Sequence, residues 1–90
     1  MADHAKNRKL GESLIRIAAE ELYASMDENE ITVLRFGMLP AGKTEAKVAE
    51  VKEMLAGLEL SEYFSDRSVS RLIAVGAMDA TNSAGKGMVV

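Results

Sequence analysis

The chain has no cysteine, one histidine and one proline among its 90 residues. Without cysteine there is no disulfide, no thiolate metal site and no thiol nucleophile. A reducing, cytoplasmic setting is expected. The lone histidine, His4, sits near the start with no second imidazole beside it, which excludes a His-based metal site and a Ser-His-Asp triad. Aromatic residues are scarce at 4%, so Ala, Leu, Val, Ile and Met carry the apolar mass. That profile suits helices packed on helices better than a sheet.

Long hydrophobic runs are also missing. The longest, Leu72 to Met78, is far below the roughly 20 residues that cross a bilayer. Met1 to Leu10 is polar and charged, so no secretory leader is expected at this end, and no membrane partner. Basic residues are outnumbered, 11 Lys and Arg against 14 Asp and Glu, giving a net charge of -3. Nucleic acid is therefore not the default partner, because it requires a basic face. A chain of this length holds one domain, with a small core that gains from oligomerisation.

What is present is helical periodicity. From about Asp3 to Met26, the residues Leu10, Leu14, Ile17, Ala18, Leu22 and Met26 recur every three or four positions, one stripe of an amphipathic helix. Its charges oppose the helix dipole. Lys6, Arg8 and Lys9 lie at the start, Glu20 and Glu21 towards the end. Such a helix is better placed beside an antiparallel copy of itself or an acidic partner.

Ile31 to Phe36 reads as a strand on propensity, but its flanks read as helix ends. Asp27 and Glu30 have capping-box spacing, Gly37 suits a left-handed residue just past a helix, Met38 can fold back on Val33, and Pro40 blocks continuation. A short helix is the expectation, with an α+β fold using residues 31–38 as a strand as the alternative. A third helix is expected from an N-cap at Thr44, with Val48, Val51, Leu55 and Leu58 as its seam and Gly57 closing it. A fourth, capped by Ser65 or Asp66, carries Val69, Leu72, Ile73, Gly76 and Ala77 on one face, after a short turn that places Tyr63 and Phe64 in the core. The segment from Thr81 to Gly87 reads as a flexible tail. The expected fold is therefore a small all-α bundle of about four helices, the first and third longest, with residues 1–80 as one domain and 81–90 as tail.

Two motifs suggest chemistry. GMLPAGKT, residues 37–44, matches the phosphate-binding pattern GxxxxGK[ST]. Gly42 would cradle phosphate, Lys43 would reach the β- and γ-phosphates, Thr44 would meet Mg²⁺, and Asp79 could end a second strand. That chemistry needs a strand before the loop and a sheet the chain is too short to build. Leu60 to Ile73 has the flavour of a helix-turn-helix, with Arg67, Ser68 and Arg71 offered to a major groove. Its turn is short, and only two basic residues lie on the candidate helix. The acidic run Asp27 to Glu30 lacks the alternating ligands and glycine of a calcium loop. The methionines Met26, Met38, Met54 and Met78 are expected to fill core gaps.

No catalytic constellation, cofactor site or metal site emerges. The expected function is a non-enzymatic, regulatory protein–protein interaction, with the chain forming a homo-oligomer. Leu10, Leu14, Ile17 and Leu22 are the expected contact surface, with Lys9 pairing to Glu20 or Glu21 across it. DNA binding and nucleotide binding are the alternatives.

Overall fold

The computed structural model describes residues 4–89, with side chains described through residue 83. The described residues form four α-helices: α1 (His4–Ala24), α2 (Glu28–Arg35), α3 (Ala41–Gly57) and α4 (Asp66–Val89), with a 3-10 turn at Ser61–Tyr63 before α4. No strand occurs among them, so the all-α reading holds and the strand alternative for residues 31–38 does not. The expected start of α1 at Asp3 lies outside the described residues. The longest helix is α4, followed by α1, rather than α1 and α3.

The ends of α2 follow from their side chains. The Glu30 amide donates to Asp27 Oδ1 at 2.8 Å, and the Asp27 amide donates to Glu30 Oε1 at 2.9 Å. This capping box satisfies two donors that the first turn cannot pair. At the other end Gly37 adopts φ 89°. Its amide donates to the Leu34 carbonyl at 2.8 Å, and the Met38 amide donates to Val33 at 3.2 Å. The helix closes as its punctuation implies.

The ends of α3 differ from expectation. The helix begins at Ala41 after Pro40, not at Thr44. Proline suits a helix entrance because its missing N–H has no intrahelical partner to lose there. Gly57 stays helical, and the left-handed position falls to Glu59 at φ 59°. The reason lies one residue on. Leu60 is buried at 3%, and its amide reaches back to Leu55 at 2.8 Å. Anchoring Leu60 in the core sets the turn, and Glu59 takes the strained conformation.

Ser65 caps α4 through its Oγ, which accepts from the Ser68 amide at 3.1 Å. The helix does not stop near Met78. Its backbone stays helical through the segment expected as a tail, and Thr81 is still buried. Of the residues expected as tail, Thr81 packs on the core side while Asn82 and Ser83 are exposed.

One core joins the elements: Ile15, Ala18, Leu22 and Met26 of α1 and its exit, Leu34 of α2, Val51 and Leu55 of α3, Leu60, Phe64, and Val69, Ile73 and Ala77 of α4. Tyr63 is only partly buried against it. The buried stripe of α1 is thus Gly11, Ile15, Ala18, Ala19 and Leu22, turned from the expected one. Small residues set the α1–α4 distance. A Cβ added at Gly76 would lie 2.6 Å from that of Ala19, and one added at Gly11 would run into the Phe64 ring.

Two expectations follow. Gly76→Ala should destabilise the fold by about 1–3 kcal/mol in urea unfolding, because overpacking exceeds the roughly 1 kcal/mol that alanine adds to a helix. Glu59→Gly should raise stability by about 0.5–1 kcal/mol, since glycine tolerates the left-handed region and glutamate does not; an unchanged or lower urea midpoint would contradict the strain assigned to Glu59.

Candidate interaction surface

Helices α1 and α3 run antiparallel. Lys43 Nζ donates to the Ser25 carbonyl at 2.7 Å, and Lys47 Nζ lies 3.4 Å from Glu21 Oε1. At the other end Tyr63, just past α3, meets His4 Nδ1 at 3.0 Å and Asn7 Nδ2 at 3.2 Å. These pairs also place His4: it is held by the Tyr63 hydroxyl, not by a metal-ligand set, and no grouping of three potential metal ligands occurs among the described residues.

The phosphate-loop reading loses its geometry. A helix, α2, precedes residues 37–44, and Gly42 and Lys43 already belong to α3. The Lys43 ammonium is engaged by Glu30 Oε1 at 2.7 Å as well as by Ser25. The Thr44 hydroxyl is buried without a hydrogen-bond partner, so it is not offered to an ion. Asp79 lies within α4 and ends no strand. What Lys43 does instead is mechanical: it ties the exit of α1 to the first turn of α2 and the start of α3.

The helix-turn-helix reading is also altered. Its first helix is only the 3-10 turn Ser61–Tyr63. Ser68 is partly buried and hydrogen-bonded to Ser65 Oγ at 3.0 Å, while Arg67 and Arg71 are exposed. Arg71 shares a cleft of about 350 Å³ with Arg8, Glu12 and Tyr63, which mixes both signs of charge. A larger cleft of about 420 Å³ lies between α1 and α4, lined by Arg16, Glu20, Tyr23 and Asp79, and is equally mixed. Neither gathers the single-signed field a polyanion requires.

The expected contact residues divide. Leu22, at 1% exposure, belongs to the core and is removed from any surface. Leu14 is partly buried against that core. Leu10 and Ile17 remain open, at 49% and 53%. On a helix turning about 100° per residue, Leu10, Leu14 and Ile17 share the flank of α1 nearest α3. Moving seven residues along each helix from the Glu21–Lys47 pair brings Met54 level with Leu14; four more bring Leu58 level with Leu10. Met54 and Leu58 are both exposed, although Leu58 was expected in the seam and Met54 in a core gap. Leu10, Leu14, Ile17, Met54 and Leu58 therefore form one apolar strip across the α1–α3 seam. Periodicity could show that α1 has apolar residues on two adjoining stripes; only the position of α3 shows which stripe is left open.

A second apolar area surrounds the end of α2. Val33, Phe36 and Met38 are exposed, Phe36 at 83%. Met38, expected in a core gap, instead lies with Val33, Leu39 and Pro40 along a cleft of about 190 Å³.

The charges are balanced by the same arrangement. The acidic exit of α1 has no basic residue in its last turn, and the start of α3 supplies Lys43 and Lys47 beside it. The antidipolar pattern of α1 is thus relieved in part within the chain. Lys47 is held above its ordinary pKa, chiefly by its hydrogen bond to Glu50, with Glu21 adding to the effect. The Lys43 ammonium, and then the Asp27 amide, hold the Glu30 carboxyl below its ordinary value of 4.5. A depressed carboxylate contributes stability that is present above its unfolded pKa and lost as pH falls through the folded one. Glu30→Gln should therefore be less stable than the parent at pH 7, and the gap should close towards pH 3, read as the difference in urea midpoint; a gap that is constant with pH would remove the ion pair from the account.

No helix of the described residues is long and apolar enough to cross a membrane. Comparison with protein-family models, with curated proteins and with solved structures finds no match, so the function has to be read from the chain's own residues.

Proposed function

We propose that the chain is a small, non-enzymatic interaction protein that self-associates through the α1–α3 strip. One observation carries the reading: Leu10, Ile17, Met54 and Leu58 stay exposed in a row on two packed helices, although the core has room for few residues. Burying such a strip yields about 25 cal/mol per Å² of apolar area. A small domain gains proportionally more from this than a large one.

A second copy fits by symmetry. A two-fold axis passing between Ser13 and Leu14 pairs Leu10 of one copy with Ile17 of the other, at both ends alike. The exposed Lys9 and Glu20 then approach across the rim. Glu21 is already engaged by Lys47, which leaves Glu20 as the preferred partner. The Ser13 side chain at the centre is small, so the helices can approach closely. A regulatory role and a cytoplasmic location accord with the absence of a catalytic constellation and of cysteine.

The test is the mass in solution, by light scattering on an eluting peak over a range of concentrations. The parent should associate. Ile17→Asp should give a monomer with unchanged helix content, because Ile17 is outside the core, and a lower thermal midpoint that no longer depends on concentration, because the stabilisation from association is lost. Leu14→Asp is the poorer probe, because Leu14 also packs on the core. Lys9→Glu should weaken association severalfold, and adding Glu20→Lys in the same chain should restore it, as a rim charge pair predicts. An Ile17→Asp protein of unchanged mass would place the interface elsewhere.

A further inference from the structure

Phe36 is 83% exposed on a protein with only two phenylalanines. It stands at the C-cap of α2, and Gly37 turns the chain away behind it. On the outward face of α2 it lines up with Asn29, Thr32 and Val33, while Leu34 and Ile31 face the core. Asn29 and Val33 are the near wall of the 190 Å³ cleft completed by Met38, Leu39 and Pro40. A ring-sized apolar knob and an apolar cleft thus lie side by side on one short element.

We propose that α2 pairs with α2 of a second copy, each Phe36 seating against the other's cleft, as a contact distinct from the α1–α3 strip. Antiparallel pairing is what the charges select. Glu28 and Arg35 occupy one flank at opposite ends of the helix, both are exposed, and neither makes a salt bridge among the described residues. Two helices related by a two-fold axis bring like flanks together in reversed order. Arg35 of each copy then meets Glu28 of the other, and Phe36 falls level with Asp27, its ring leaning back along its own helix towards Asn29 at the mouth of the cleft. A parallel arrangement would set Glu28 against Glu28 and Arg35 against Arg35. An eight-residue helix offers less than the roughly 800 Å² per partner of a standard interface. The contact is therefore weak alone and acts on chains already joined. Its role in building larger assemblies rests on the proposed α1–α3 dimer. Two different two-fold contacts on one chain give a closed tetramer or an open string.

The experiment compares the full chain with Phe36→Ala, Ile17→Asp and their combination by light scattering over a wide concentration range. Circular dichroism serves as the check on folding, which an 83% exposed side chain should not affect. The parent should pass beyond dimer as concentration rises. Phe36→Ala should stop at dimer, weakening the second step by at least about tenfold. Arg35→Glu should weaken the same step, and Glu28→Arg in the same chain should recover it. A parent that stops at dimer and is made monomeric by Ile17→Asp but not by Phe36→Ala, or a Phe36→Ala protein that follows the curve of an associating parent, overturns the α2 contact and leaves the α1–α3 strip standing. Association lost in Phe36→Ala but kept in Ile17→Asp supports the α2 contact and overturns the strip.

Discussion

The approach of α1 to α4 governs the rest of the structure. Ala19 and Gly76 meet so closely that a single methyl would not fit between them, and the Phe64 ring fills the space over Gly11 in the same way. Helices packed at this distance gain dense contact from small side chains, since dispersion falls steeply with separation. Ile15, Ile73 and Ala77 can then be buried completely. The core has little volume to offer beyond them. Helix α3 settles into the remaining groove and buries Val51 and Leu55, while Met54 and Leu58 stay outside.

The described molecule is flat as a result. Its principal extents are 47 × 30 × 17 Å, and the short dimension holds two layers of helix and no more. A flat two-layer protein cannot enclose every apolar side chain a helix of normal composition carries. Apart from Val75 on α4, the large exposed apolar side chains among the described residues lie in two places, along the α1–α3 seam and at the tip of α2.

The helix ends were legible in the sequence wherever a side chain or a backbone angle makes the end by itself. Asp27 with Glu30, Gly37 with Met38, and Ser65 each act through hydrogen bonds to residues three to five positions away, so local sequence contains the whole cause. The ends of α3 were not legible, because the buried position of Leu60 decides where the turn falls, and that position depends on elements distant in the chain. The facing of α1 failed for the same reason. Leu10, Leu14 and Ile17 satisfy helical periodicity as well as Ile15, Ala18 and Leu22 do. Gly11 looked like a weakness in the helix, but its lack of a side chain is what admits Phe64 and selects the buried stripe. The match at residues 37–44 to a phosphate loop shows the converse: identical letters, with Lys43 directed at a carbonyl and a carboxylate of its own chain.

The corner made by Lys43 also bears on the order of folding. It joins Ser25, Glu30 and Lys43, separated by 18 and 13 residues, whereas the α1–α4 packing joins Ala19 to Gly76 across most of the chain. Loop-closure entropy rises with separation, and non-local contacts slow the search. Helices α1 and α3 can thus come together before α4 arrives, whereas α2 packs chiefly on α4 and waits for it. Until it does, Ile15, Ala19 and Leu22 face water, which makes the docking of α4 the step at which a nascent chain is most prone to aggregate.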